Sequence, residues 1–454
     1  MGWLITHILS FIGAAGGWIN PFMGLMVYYW LAILRPPFLW FWAFNPWDTP
    51  RFSLYVGLST LAGWAFMGFG SFKGLRGTRL AIGGLLTYFF SGVIAWQFFA
   101  IAPGWSAIVL DTQLKIVIML IVTLTIVRDA RSIMLFAWII TLTLGYLGWV
   151  LNDWYFIDPM YLHRNGFGTV DNNGVGMIMV VSIPLAFFLA VYDKRIWLRA
   201  LSFFAAACQV HVILFSYSRG SQLGLCMVGA FILLFSLLYL PRKMLTLGIA
   251  LFFIFLTLQL AGEGVRQRFV SIFAEDLDAS AESRFGTWSA AWQCIKEHPL
   301  GVGPRNFGLY APQYGLTAGK AVHNLFLQTG ADFGVFGMLG LFVFYAATFY
   351  NTVQMARSAV AKALVWPRYV GLACCTSIGG FLICSIFIGM ESVEAGYIVC
   401  ATGLVTVAYV NRVTDASPAG YATNIPELVQ VPGPDEPFDE RVLPRPGALR
   451  PSLA

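Results

Sequence analysis

Long apolar runs alternate with short polar turns along most of the chain. The runs that reach or approach the ~20 residues a bilayer-spanning helix needs fall near 3–17, 20–34, 52–72, 80–102, 114–127, 132–151, 174–192, 197–217, 221–240, 244–260, 330–352, 366–389 and 394–411. The first two are short and make either two crossings or one crossing plus an interfacial piece. The pattern predicts an all-α polytopic membrane protein with 12 or 13 transmembrane helices. A membrane β-barrel would show alternating segments of ~10 residues instead, and the sequence shows none.

The polar turns carry an orientation signal. Lys73, Arg76 and Arg79 form one basic cluster. Arg128 with Arg131, Lys194 with Arg195, Arg242 with Lys243, and Arg357, Lys362 and Arg368 form the others. They fall on every second turn, so the positive-inside bias assigns that face, with Arg412, to the cytoplasm. The opposite turns, at 103–113, 152–173, 216–220, 261–322 and 390–394, are expected on the outer, periplasmic face. The expected organisation is N-terminal transmembrane helices over 1–260, a large periplasmic loop with amphipathic helices over 261–322, C-terminal transmembrane helices over 323–412, and a cytoplasmic tail over 413–454. The tail has eight prolines and few large apolar residues, too few to bury a core, so it is expected to be disordered.

Composition agrees with this division. The chain is 58% hydrophobic and 11% charged, whereas soluble domains carry about 25% charged residues. A net charge of +6 is ordinary for a membrane protein and does not suggest nucleic acid. Six of the seven cysteines lie in apolar runs and only Cys294 lies in the long loop. No Cys or His pair has metal-ligand spacing, so no metal or cofactor is expected. Residues 1–34 lack Lys and Arg, which reads as retained membrane segments rather than a cleavable signal.

The loop at 261–322 is far longer than ordinary connections and is rich in aromatic residues. Arg284, Trp288, Ala291 or Trp292, and Ile295 recur at helical spacing. Pro299 ends that helix, and "GVG" at 301–303 makes a turn. The expectation is an amphipathic helix on the membrane surface, followed by a structured return to His323. The outer turns also carry Arg164, Arg219, Arg266, Arg268, Arg284 and Arg305, which the positive-inside rule does not explain. Arg219 is the sharpest case, in "SYSRGSQLG" between two apolar runs. An arginine there, beside helix N–H groups starting near Ser221, suits a phosphate. A snorkelling interfacial arginine gives the same pattern. A loop arginine such as Arg284, beside Asp276, Asp278 and Glu282, is equally an exposed ion pair.

"AVHNLFLQTGADFGVFG" at 321–337 places His323 and Asn324 before an apolar helix with glycines at 330, 334 and 337. At ~100° per residue, His323 and these glycines share one helical face. Small residues on such a face admit a second helix or leave a groove for a lipid chain. His323 is the side chain suited to accept a proton near neutral pH. Asn324 would orient it or hold a substrate hydroxyl; a His-Asn helix cap with core glycines is the alternative. Asp171, Asn172 and Asn173 open another outward helix end, where they bind sugar hydroxyls or cap the helix. Trp288 and Arg305 are further candidates for substrate contact.

These features together resemble the bacterial O-antigen ligase and polymerase superfamily. "HN", nine residues, then "GVFG" matches its His-[Asn/Ser/Gln]-x9-Gly-x-x-Gly pattern, and "RGSQL" matches its Arg-x3-Leu element. "SRFGTWSAAWQCIKEHPLGVGPRNF" is similar to the start of its large periplasmic loop. "GFGTVDNNGVGMIMVVSIPLAF" and the Pro- and Trp-rich start resemble the exosortase-associated O-glycosylation ligases. The resemblance implies a GT-C-like, metal-independent glycosyltransferase of the bacterial inner membrane, with its active site on the periplasmic face. Such an enzyme moves a glycan from undecaprenyl pyrophosphate to a hydroxyl on a lipid, polysaccharide or protein acceptor. It assigns His323 to activation of that hydroxyl and Arg219 and Arg284 to the pyrophosphate. A polymerase, using a lipid-linked glycan as acceptor, shares the donor and remains the close alternative. A lipid or polysaccharide transporter is more distant, because transporters place ionisable groups near mid-membrane and these runs are almost free of charge.

Overall fold

The computed structural model describes residues 2–44, 50–240, 243–270, 279–389 and 393–416. Among the described residues all regular secondary structure is helical, apart from one isolated bridge between Phe167 and Val170. The first half contains α1 (Gly2–Ile19), α2 (Pro21–Leu34), α3 (Phe52–Phe66), α4 (Arg79–Phe99), α5 (Pro103–Ile126), α6 (Ala130–Ile157) and α7 (Asn172–Tyr192). It continues with α8 (Ile196–Phe215), α9 (Arg219–Tyr239) and α10 (Lys243–Leu260). Two helices of the long loop follow, α11 (Glu263–Val270) and α12 (Ala279–Glu297), and then α13 (Leu325–Arg357), α14 (Trp366–Ser385) and α15 (Glu394–Ala416).

Eleven described helices are long and apolar enough to cross a membrane, and Phe52–Phe66 and Lys243–Phe255 are shorter apolar helices. Together they account for all thirteen apolar runs. The chain is an all-α, multi-pass membrane protein. The basic turns gather at one end: Arg412 donates to the carbonyls of Lys73 and Arg128, and Asn351 donates to the carbonyl of Gly77 at 2.5 Å.

The helix at the centre is α7. It is apolar on all sides and almost wholly buried, as expected of a helix with no lipid-facing stripe. It packs on α8 and α14 and also touches α6 and α9. Its position carries Asp171, Asn172 and Asn173 into the middle of the end opposite the basic turns. The most extensive helix pair is α4 with α13. A methyl group added at Gly84 would lie 2.7 Å from the Gly340 carbonyl oxygen, and one at Gly340 would lie 2.7 Å from that of Gly84. The two backbones therefore touch, the packing small residues permit in a bilayer.

Three expectations are corrected. The run at 114–127 is the second half of a helix that begins at Pro103. Proline suits the first helical position, and Asp111 and Lys115 form an i,i+4 ion pair on that helix, so the turn expected at 103–113 is largely helical. Second, the amphipathic period of α12 is real, but its apolar face does not rest on the membrane surface. Ala290, Ala291, Cys294 and Ile295 pack into a small core with Val302, Phe307, Ala311, Val322 and Ala331. That core joins the loop to α13, while Phe285 and Trp292 stay exposed.

The third concerns the glycines. His323 is outside α13, which starts at Leu325 and is broken at Gly334, where φ is 80° and ψ is 176°. Only glycine adopts that backbone readily. The break frees backbone groups that the loop then satisfies. Val302 donates to the Ala331 carbonyl at 3.0 Å, Gly303 donates to the Asp332 carbonyl at 3.0 Å, and Val335 donates to the Pro299 carbonyl at 2.9 Å. The face at 330 and 334 is therefore not an open wall for a lipid: Gly330 receives Ile295, and Gly334 receives the backbone of Pro299 and Leu300. The tail from 417 onward, Asp276 and Asp278 lie outside the described residues.

Candidate active site

The starts of α7 and α9 are stitched together by local hydrogen bonds. Asp171 caps α7 by accepting from the Gly174 amide at 2.8 Å, and Asn173 Nδ2 donates to Asp171 Oδ2 at 3.1 Å. Asn172 Nδ2 donates to the Ser216 carbonyl at 2.8 Å, and Ser221 Oγ donates to the Asn173 carbonyl at 3.2 Å. Ser218 caps α9, accepting from the Ser221 amide. Arg219 is thus the first residue of an 21-residue helix, half-buried, where unpaired N–H groups and the helix dipole favour an anion.

The turn after α14 bridges this corner to His323. A methyl group on Gly220 would meet Phe387 Cβ at 3.0 Å, and one on Gly389 would lie 3.5 Å from the His323 amide nitrogen. Phe387 also reaches the Trp288 ring, with centroids 6.3 Å apart. Gly220, Trp288 and His323 therefore share one short segment, Phe387–Gly389, as their common neighbour.

The backbone before His323 is held on both sides. Trp288 Nε1 and Thr287 Oγ1 donate to the Val322 carbonyl at 3.1 and 3.2 Å, and the Val322 amide donates to Gln328 Oε1 at 2.9 Å. His323 itself sits at φ 54°, a conformation costly for a non-glycine residue and typical of functional positions. Asn324 then caps α13, its Oδ1 accepting from the Phe326 and Leu327 amides at 3.1 and 3.0 Å. Its oxygen is engaged by the helix.

Burial pushes the His323 imidazole below its ordinary value, and the nearby charges of Arg284 and Lys320 push the same way, while Asp171 opposes them. Each of these effects except that of Asp171 favours the neutral ring, whose lone pair can take a proton. The same interactions bring Arg284 on α12 and Asp171 on α7 into the field of His323, although the three are far apart in sequence. Arg305 does not join this group. It is exposed, sits at φ 62°, and lines a cavity of about 1360 Å³ with Arg35 and Arg51.

Several residues at the site are absent from the sequence-based candidates. His163 Nδ1 lies 3.3 Å from Asn172 Nδ2, with its ring edge-on to Tyr217. Gln328 and Asp332 are buried, and Gln328 Nε2 donates to Asp332 Oδ2 at 2.7 Å. Two polar residues at i,i+4 in an apolar helix are a legible signal of internal placement. Phe387–Gly389 gives no such signal, because its importance lies only in what it touches.

A family model described as O-antigen ligase matches residues 204–342. Over those residues the chain is similar to O-antigen ligases. The match runs from α8 into α13 and includes Arg219, Arg284, Trp288, Arg305, His323 and Asn324. Asp171–Asn173 and Phe387–Gly389 lie outside the matched residues. No curated protein matches the chain.

Proposed function

We propose that the protein is a metal-independent glycosyltransferase of the bacterial inner membrane. It moves a glycan from undecaprenyl pyrophosphate to an acceptor hydroxyl at the periplasmic end of the bundle. The observation that carries this reading is a half-buried His323, held at φ 54° next to the segment that covers the start of α9 and in the field of Arg284, which with burial favours its neutral form. His323 takes the proton of the acceptor hydroxyl, whose oxygen attacks the anomeric carbon as the bond to the pyrophosphate breaks. General-base assistance of this kind is typically worth ~10²–10⁴-fold. Negative charge grows on the leaving pyrophosphate, where Arg219, Arg284 and the first amides of α9 stabilise it. Trp288 holds the His323 backbone, and the polar ends of Asp171, Asn172 and Asn173 face sugar hydroxyls.

Product analysis tests the reading. Purified protein, given lipid-linked glycan and a hydroxyl-bearing acceptor, should join one glycan block to the acceptor and release undecaprenyl pyrophosphate. A ladder of longer lipid-linked chains would instead identify a polymerase.

A further inference from the structure

The basic turns converge at the end of the bundle opposite His323. Arg412, near the end of α15, donates to the carbonyls of Lys73 and Arg128. A methyl group on Gly74 would lie 2.5 Å from Arg412 Cγ, and one on Gly77 would lie 3.0 Å from Asn411 Nδ2. The turn before α4, the turn between α5 and α6 and the last turns of α15 therefore pack against one another. With the first turns of α4 and α6 they carry Lys73, Arg76, Arg79, Arg128, Arg131 and Arg412. Among the described residues no carboxylate lies within ion-pair distance of any of these cations. Asp129 caps α6, accepting from the Ser132 amide at 2.9 Å, and Asp415 is exposed.

Positive-inside bias accounts for basic turns, but not for two half-buried guanidiniums in contact. Arg128 and Arg412 are both half-buried, and Arg128 Nε is buried without a hydrogen-bond partner. Burial disfavours the charged form of Arg128. Desolvated like charges are unfavourable unless an anion completes them. Helix α15 packs on α2, α5, α6, α7, α13 and α14 and is mostly buried. Arg412 therefore emerges inside the ring of helix ends, away from the lipid-facing rim, and an anion meets it from the aqueous side.

The chain itself supplies such an anion. Ala416 follows Arg412 by four residues, and beyond it Asp435, Glu436, Asp439 and Glu440 stand close together, with no cation between residue 417 and Arg441. The roughly twenty residues from Ala416 to Asp435 reach up to ~65 Å when extended, ample for a return to Arg412. Attachment to α15 gives the segment an effective concentration of about millimolar at the cluster. Carboxylates pair with arginine bidentately.

We infer that the cluster is a docking surface for this chain's own acidic segment at 435–440, whose carboxylates engage Arg76, Arg131 and Arg412. The inference is independent of the role of His323.

Carbodiimide cross-linking of the purified full-length protein in neutral detergent, read by mass spectrometry, tests it, because this reagent joins an amine to a carboxylate without a spacer. Lys73 should link to 435–440 with several-fold higher yield than Lys194, Lys243 and Lys362, which are exposed on other turns of the same end. Arg76 and Arg131 are exposed, so the Arg76→Gln/Arg131→Gln variant should melt near the parent temperature. Its Lys73 links should fall about threefold or more, as for two lost surface charge contacts. Absence of Lys73 links, equal links to all four lysines, or Lys73 links unchanged in that variant would overturn the inference, the last two showing a tethered chain passing by. Lys73 links that vanish on adding phosphatidylglycerol but persist with phosphatidylcholine would overturn it too, because lipid head groups would then hold the cluster.

Discussion

Asp332 Oδ1 accepts the backbone amide of Phe307 at 2.8 Å, across 25 residues of chain. The other carboxylate oxygen accepts from Gln328 Nε2, and Gln328 Oε1 accepts from the Val322 amide. One fully buried carboxylate therefore ties the long loop to α13 and, through one glutamine, fixes the residue before His323.

Asp332→Asn should break that relay although the side chain keeps its shape. If the new amide group points at Gln328, two donors meet; if Gln328 turns over to accept, its amide then faces the Val322 N–H. A buried donor is left unsatisfied in either arrangement, which costs ~1–3 kcal/mol. The expected outcome is a lower melting temperature and a fall in transfer rate larger than the fall in donor binding. Unchanged melting and turnover would mean that the relay is not structural.

Gly334→Ala should be severely destabilising. The new methyl group would lie 2.5 Å from the Leu300 carbonyl carbon and 2.6 Å from the Pro299 oxygen, on a backbone with φ 80°. The strain alone is ~1–3 kcal/mol, and the clash with backbone adds to it. Gly83→Ala is the matched control, because a methyl group there meets nothing within 4 Å. In a helix interior that change should be neutral or stabilising by ~0.5–1 kcal/mol. Thermal unfolding in detergent compares the two.

The pH dependence of transfer follows from the charges around His323. The base form is required, so the rate should fall as pH drops through a midpoint below the ordinary value of 6.5. Arg284 and Lys320 lower that midpoint and Asp171 raises it. Arg284→Gln should therefore move the acid limb of kcat/KM to higher pH, and Asp171→Asn, which can still cap α7, should move it to lower pH. Opposite movements would show that His323 is not the group titrating.

The apolar helices were legible because a helix inside lipid must satisfy its own backbone and so leaves an apolar run in the sequence. Helix ends were less legible. Nothing in the run 114–127 marks a helix that starts at Pro103, because an i,i+4 ion pair lets α5 continue through polar residues. The glycine pattern was seen but its geometry was not. The ~100° rule holds only for an unbroken helix, and Gly334 breaks this one to receive the loop at Pro299 and Leu300. The spacing of His323, Arg219 and Arg284 marked three candidates. The segment Phe387–Gly389, which touches Gly220, Trp288 and His323, and the part of Asp332 depend on contacts between distant segments that no local pattern records.

The most direct test of the account is transfer by the His323→Ala protein, purified in the same detergent as the parent and matched to it in melting temperature and donor binding. Glycan transfer from undecaprenyl pyrophosphate should fall by the ~10²–10⁴-fold that a general base contributes, with the donor still bound. Turnover equal to that of the parent would contradict the assignment of His323 as the base.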